Sequence, residues 1–187
     1  DGFEALTGAF RYIEWTNHHP AISSWFMRLA IEIGRKIGNE TYGFFLYNMI
    51  QILLQAAVFS GVFYVMKKKK TWYPIRWITL VWYGFFSVWP TNGYAMNKDT
   101  MYYIVFTLYI LLTIEFVKKA KKNIITWKQI VMYIAVMILL CIFRNNGIYV
   151  VLLTIPCLLI ATGKKQWKKV LILLVCMVLY NSFYNQI

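Results

Sequence analysis

The chain has 187 residues, of which 60% are apolar, 19% aromatic and only 14% charged, and its net charge is +13. So little polar surface cannot cover a soluble domain of this length, so the composition excludes an ordinary soluble protein and favours a multi-spanning membrane protein. The basic excess lies mainly in three lysine-rich clusters, residues 67–70, 118–122 and 164–169. This distribution indicates membrane topology and anionic cytoplasmic headgroups rather than nucleic acid as a partner.

Residues 1–41 are predicted to form an outer loop with two juxtamembrane helices, the first over residues 2–15, hinged at residues 17–20. The second helix carries an apolar stripe at helical spacing, which is typical of a helix lying in the membrane interface. The stripe contains Ile22, Trp25, Phe26, Leu29, Ile33 and Ile37, and the opposite face contains Ser24, Arg28, Glu32, Arg35 and Lys36. Because the chain begins at Asp1 and no signal peptide precedes it, we expect a fragment of a longer protein.

Residues 42–187 are predicted to form one transmembrane helical bundle of about six spans. The predicted spans cover residues 42–66, 75–89, 100–117, 124–143, 148–162 and 170–187. Pro90 is expected to end the second span, and Pro156 to kink the fifth. A lysine-rich cluster follows the first, third and fifth spans, and positive charge near span ends is retained on the cytoplasmic side. The sequence therefore predicts an all-α fold with the chemistry on the opposite, outer face.

The amino-terminal acids are the first candidates for that chemistry. A carboxylate at the membrane boundary, such as Asp1 or Glu4, can act as a general base or hold a cation. The alternative, which spacing alone favours, is an acid that stabilises the start of a helix.

The adjacent His18 and His19 form the second candidate, just before Pro20. Neighbouring histidines point in different directions, so a two-ligand metal site is not predicted from this pair. One of them can donate to a phosphate or a sugar, and the alternative is two interfacial histidines at a hinge. Cysteines 141, 157 and 176 lie in apolar segments without metal or disulfide spacing, although a divalent metal cofactor stays open.

Two further outer segments carry scarce cations. Lys98 and Asp99 open the third span, where Asp99 is either an N-cap or a binding residue. Arg144, Asn145 and Asn146 form a tight turn with Gly147, and this composition suits a reversal that needs positive φ. The planar donor fork of arginine also matches phosphate, so a lipid-phosphate contact and a purely structural turn are both open.

Ionisable groups are nearly absent inside the spans, where Glu115 lies at an inner end beside the second cluster. This argues against an ion-coupled transporter, which usually needs charged groups in mid-membrane. Asn48, Gln51 and Gln55 share one face of the first span, and packing between helices is their default explanation.

The layout resembles that of GT-C glycosyltransferases, in the branch of the protein mannosyltransferases and aminoarabinose transferases. An acid in the first outer loop precedes a juxtamembrane helix, a His-Pro element and an amphipathic helix that leads into a span. The element Asn17-His18-His19-Pro20-Ala21-Ile22 looks like a variant of that branch's motif with one proline lost. With Asn97-Lys98-Asp99 and Phe143-Arg144-Asn145-Asn146-Gly147-Ile148-Tyr149, the chain is most similar to an uncharacterised bacterial family related to that branch.

The resemblance implies inverting transfer from a polyprenyl-phosphate sugar to a cell-envelope acceptor, on the outer face of the bacterial plasma membrane. Asp1 would activate the acceptor hydroxyl, and Glu4 would be a second acid because Gly2 replaces the second member of the family's acidic pair. His18 and His19 would lie near the donor phosphate, and Arg144 with Lys98 would neutralise it. The resemblance adds Asp99, Asn145 and Asn146 to the substrate-binding set. It gives no sugar and no cofactor.

Two alternatives from other classes stay open. A polymerase or ligase of surface polysaccharide would use a similar outer arginine, but it usually carries a large outer loop, and the sequence shows none. A non-enzymatic lipid-binding or transport protein is expected to carry mid-membrane charges or a paired repeat, and the sequence shows neither.

Overall fold

The structure, a computed structural model, describes residues 21–87, 89, 91, 98–163 and 166–184. Across these residues the regular elements are all α-helices, which confirms the predicted all-α class for the described part. The helices are α1 Ala21–Ile37, α2 Glu40–Lys68, α3 Tyr73–Phe85, α4 Lys98–Lys121, α5 Trp127–Phe143, α6 Gly147–Thr162 and α7 Trp167–Tyr184. The predicted helix over residues 2–15, with Asp1, Glu4, His18 and His19, lies outside the described residues.

Two of these helices are long and apolar enough to cross a membrane. They are α2, with 29 residues, and the segment Asp99–Lys121 of α4, with 23 residues, and they contain 18-residue windows with mean hydropathies of 1.8 and 1.7. The apolar helices α5 and α6 are shorter, with 17 and 16 residues. Helix α3 has 13 residues, which is about 20 Å of helix against a hydrocarbon core of about 30 Å.

Helix α3 ends earlier than the sequence predicted. It stops at Phe85 rather than at residue 89, and Phe86 adopts an extended conformation with φ −70° and ψ 115°. Proline lacks the N–H that would bond to the carbonyl four residues earlier, and for Pro90 that carbonyl belongs to Phe86. The Phe86 carbonyl instead accepts from the Trp89 N–H at 3.1 Å. The proline therefore limits the helix one full turn before its own position.

The chain divides into two compact units, which we call unit 1, Asp1–Thr107, and unit 2, Leu108–Ile187. In unit 1, α1 folds back on the first half of α2 through a short turn. Gly38 has φ +115° there, and the Asn39 side chain caps α2 by accepting from the Thr41 N–H at 2.9 Å. Arg35 pairs with Glu40 across the turn at 2.6 Å. These contacts fix α1 and α2 as a helical hairpin.

Two glycines let α1 and α2 approach at backbone distance. A Cβ on Gly43 would lie 2.8 Å from the Ile31 Cα, and one on Gly34 would lie 2.8 Å from the Gly43 Cα. The contact continues into a buried cluster of Met27, Ala30, Ile31 and Tyr47. Small residues at a crossing are a common way for membrane helices to pack closely.

We expect Gly43→Ala to lower the stability of the protein by about 1–3 kcal/mol, because the added methyl meets backbone that cannot rotate away. In a thermal unfolding experiment this corresponds to a lower Tm, by about 2–4 °C per kcal/mol for a chain of this size. Gly84→Ala is the matched control, since a Cβ there has nothing within 4 Å. Equal Tm values for the two variants would contradict the close crossing.

Helix α1 presents three faces rather than the two that its sequence predicted. The predicted apolar stripe is exposed from Trp25 to Ile37, with Trp25 at 51% and Ile37 at 65%. The predicted charged face is also on the surface, and Arg28 and Glu32 form an ion pair there at 3.1 Å. A third face is the buried one, made of Ser24, Met27, Ala30, Ile31 and Gly34. Ser24 therefore belongs to the packing face, which corrects its assignment to the polar face.

Burial along α2 is the reverse of that in a soluble helix. Its buried residues are Gly43, Tyr47, Gln51 and Gln55, spaced four apart on one face. Large apolar residues of the same helix are exposed, including Tyr42, Phe45, Met49, Ile50, Ile52, Leu53, Leu54 and Tyr64. A helix with polar groups inside and apolar groups outside suits a lipid environment, where apolar side chains need no cover.

Unit 2 is built from the second half of α4 with α5, α6 and α7, and the last three pack on one another. Its core contains Met137, Leu140, Val151, Leu173 and Met177, all at most 1% exposed. The Tyr133 hydroxyl and Thr113 Oγ1 are hydrogen-bonded at 2.9 Å. The three cysteines are free thiols. Pro156 lies inside α6, where the expected kink stays a prediction.

Candidate functional site

The second lysine-rich cluster and residues 166–169 of the third lie at the same end of unit 2, because the two loops are bonded to each other. The Gln166 side-chain amide donates to the Asn123 side chain, and Lys169 Nζ donates to the Ile125 carbonyl at 2.8 Å. Glu115 lies at this end as predicted, paired with Lys119 at 3.4 Å. We call this part of the molecule the lysine-rich end of unit 2.

Arg144 lies at the opposite end of α5 from the lysines. Helix α5 has 17 residues and is therefore about 25 Å long. Arg144 is the C-cap of α5, and its carbonyl accepts from the Gly147 N–H at 2.8 Å. Its side chain is half-buried, while Asn145 and Asn146 are exposed. The three predicted residues thus form one polar turn, which presents an arginine and two amides between two apolar helices.

The reason for a glycine in this turn differs from the prediction. Gly147 is the first residue of α6 and is buried, and among the glycines that the structure describes, those with positive φ are Gly38 and Gly163. A Cβ on Gly147 would lie 2.7 Å from the Leu140 carbonyl carbon and 3.0 Å from the Cys141 Cα. Gly147 is therefore required because α5 and α6 approach closely, and this contact fixes the turn that carries Arg144.

Lys98 and Asp99 belong to unit 1, at the start of α4. Helix α4 begins at Lys98, so Asp99 lies in its first turn rather than at the N-cap. An acid in a first turn is favoured by the positive end of the helix dipole. The neighbouring Thr100 is only 2% exposed, and Met101 packs against the cluster between α1 and α2. The substrate-binding roles of Lys98 and Asp99 stay predictions.

The buried face of α2 is a second polar feature of unit 1. Gln55 Nε2 donates to the Trp89 carbonyl at 3.2 Å, and Gln51 is fully buried. The part of the chain that the structure describes supplies no hydrogen-bond partner for the Tyr47 hydroxyl or for Asn48 Oδ1. The sequence identified Asn48, Gln51 and Gln55 but missed Tyr47, although the four-residue spacing from position 43 to position 55 was a visible signal.

The Gln55 end of this face is surrounded by aromatic rings. Phe59 stacks on Tyr83 with ring centroids 4.0 Å apart, and Trp89 meets the Tyr83 ring edge-on at 5.4 Å and the Tyr103 ring at 6.2 Å. These rings and amides carry no formal charge. Among the described residues, no group of three His, Cys, Asp or Glu side chains is arranged to hold a metal ion.

A family model matches residues 12–185, which include every helix described above. The chain belongs to DUF6020, a family of unknown function. No curated protein and no solved structure was found to match it. Since this family carries no assigned activity, the likeness to GT-C glycosyltransferases stays a prediction.

Proposed function

We propose that this protein is a GT-C-type membrane glycosyltransferase. It moves a sugar from a polyprenyl-phosphate donor to a cell-envelope acceptor on the outer face of the bacterial plasma membrane. The observation that carries the proposal is the position of Arg144, the one cation between residues 129 and 163, at the end of unit 2 away from the lysines.

The first support is the distribution of apolar and polar residues, which suits a membrane environment. Helices α2 and α4 have the length and hydropathy of membrane spans, and α2 buries its polar face while exposing its apolar one. The exposed stripe of α1 fits a helix at the membrane interface. The proposal includes six spans formed by α2 to α7, and the shorter ones among them require a locally thinned bilayer.

The second support is the separation of charge in unit 2. Lysine-rich segments are retained on the cytoplasmic side of a membrane. The two clusters that meet through Gln166 and Asn123 would therefore face the cytoplasm. Because α5 leads from that end to Arg144, the turn of Arg144, Asn145 and Asn146 would face outward. This is the side on which lipid-linked sugars are used in the GT-C layout.

The third support is the chemistry that such a donor needs. The acceptor hydroxyl attacks the anomeric carbon, the bond from that carbon to the phosphate oxygen breaks, and polyprenyl phosphate leaves with the electron pair. Negative charge develops on the leaving phosphate, where the guanidinium fork of Arg144 would stabilise it, with Lys98 as a second cation. Asp1 would take the proton of the acceptor, with Glu4 as the other available acid. His18, His19, Asp99 and the two asparagines would hold the donor.

The test is sugar transfer by the purified protein in lipid bilayers, supplied with polyprenyl-phosphate sugars of several kinds and a cell-envelope acceptor fraction. We expect at least one donor to be consumed with release of polyprenyl phosphate. Donors that stay intact in every combination, with and without added divalent metal, would contradict the proposed activity.

A further inference from the structure

The lysine-rich end of unit 2 holds far more positive charge than the unit can neutralise. The described lysines there are Lys118, Lys119, Lys121, Lys122, Lys128, Lys168 and Lys169. The sequence of unit 2 contains a single acid, Glu115, which pairs with Lys119. The remaining lysines have no carboxylate within unit 2 to balance them, so their counterions must come from outside the unit.

The loops that carry these lysines are held together by specific contacts. Gln166 is 4% exposed and donates its side-chain amide to Asn123, while Lys169 Nζ reaches the Ile125 carbonyl at 2.8 Å. Asn123 adopts φ +59°, a conformation in which asparagine is one of the few tolerated side chains. A signal for membrane topology needs only positive charge in each loop. The bonds between the loops are not needed for such a signal, and they place two clusters on one surface.

Two exposed tryptophans flank that surface. Trp127 is 66% exposed and begins α5, and Trp167 is 48% exposed and begins α7. Each is followed directly by a lysine, Lys128 and Lys168, and both lysines are exposed. Tryptophan in membrane proteins prefers the headgroup region, where its ring lies among the upper acyl chains and its N–H reaches water. Trp127 and Trp167 therefore hold the neighbouring ammonium groups at the depth of lipid phosphates.

We propose that this surface, formed by Lys121, Lys122, Trp127, Lys128, Trp167 and Lys168, is a binding site for anionic phospholipids of the cytoplasmic leaflet. The headgroup phosphate is the partner, and the joined loops bring lysines from both clusters to one headgroup region. The inference rests on the membrane insertion of the proposed function but not on sugar transfer. Attraction of a basic residue to an anionic leaflet changes affinity by about fivefold per lysine.

The test is native mass spectrometry of the protein released from nanodiscs that contain equal amounts of phosphatidylglycerol and phosphatidylcholine. We expect phosphatidylglycerol to be retained in excess. In the triple variant Lys121→Gln, Lys122→Gln, Lys168→Gln, the ratio of retained phosphatidylglycerol to phosphatidylcholine should fall by about tenfold or more. A triple variant that retains the lipid as the natural protein does would overturn the proposal.

A second variant separates a built site from simple charge. Asn123→Gly removes the side chain that accepts from Gln166, tolerates the positive φ and keeps every lysine. Its control is Lys70→Gly, at another non-glycine residue with positive φ (52°), which removes one charge from the first cluster. We expect Asn123→Gly to lower the phosphatidylglycerol excess several-fold. This decrease should be larger than the one caused by Lys70→Gly. If retention follows charge alone, Lys70→Gly will have the larger effect, and the built site is refuted. Sugar transfer is measured separately, so each proposal can fail alone.

Discussion

Replacing Arg144 with alanine is expected to lower the rate of sugar transfer about 100- to 1,000-fold. The arginine lies in a turn fixed by the close approach of Gly147 to Leu140 and by the bond from the Gly147 N–H to the Arg144 carbonyl, and both contacts are made without the guanidinium. Alanine therefore removes the guanidinium while the turn stays in place. The loss should appear in the catalytic rate, whereas binding of the polyprenyl-phosphate donor should be retained.

Two further variants distinguish phosphate recognition from a structural role of Arg144. Arg144→Lys keeps the charge but loses the fork of donors, so we expect an intermediate rate. Lys128→Ala removes a cation from the other end of α5 and should leave transfer unchanged. An Arg144→Ala variant with normal turnover, or equal losses in Arg144→Ala and Lys128→Ala, would contradict a phosphate contact at this turn.

Replacing Asp1 with asparagine is expected to lower transfer by about 100- to 10,000-fold, the usual contribution of a general base. This substitution separates the two roles that the sequence allowed. Asparagine stabilises the start of a helix about as well as aspartate, so a structural acid would tolerate the change. A catalytic base at this position would not tolerate the change, because the asparagine amide does not accept the proton of the acceptor hydroxyl.

Glu4→Gln is the companion variant in the same assay. If Asp1 is the base, the loss in Glu4→Gln should be much smaller than that in Asp1→Asn. The reverse order would assign the base to Glu4. Full turnover in Asp1→Asn and in Glu4→Gln would contradict a catalytic acid in the amino-terminal segment.

The sequence was sufficient for the helical class and for most helix bounds, since apolar runs separated by lysines and by a polar turn leave few alternatives. The predicted ends at Phe143 and Thr162 agree with those of α5 and α6. The end of α3 was misplaced because the effect of Pro90 reaches back to the carbonyl of Phe86.

Relations between distant residues were beyond the sequence. The periodicity of the sequence predicted the apolar stripe of α1 but not the packing face of this helix. Ala30 and Gly34 lie on the packing face because small residues allow close approach to α2, and hydropathy does not mark them. The bond between Gln166 and Asn123 joins positions 43 residues apart, and neither residue forms part of a motif. For the site, the local sequence groups Arg144 with Asn145 and Asn146, which are its neighbours in the chain. Whether Asp99 lies near Arg144 depends on long-range packing, which a local sequence pattern does not contain.

In the proposed topology, the Arg144 turn and the lysine-rich end of unit 2 face opposite sides of the membrane, with the turn outside. Single-cysteine variants test it, at the exposed positions Asn145→Cys and Lys122→Cys, in a protein whose three native cysteines are replaced by alanine. An impermeant maleimide should label Asn145→Cys in intact cells and Lys122→Cys only after permeabilisation. Labelling of Lys122→Cys in intact cells, or of Asn145→Cys only after permeabilisation, would contradict the proposed topology.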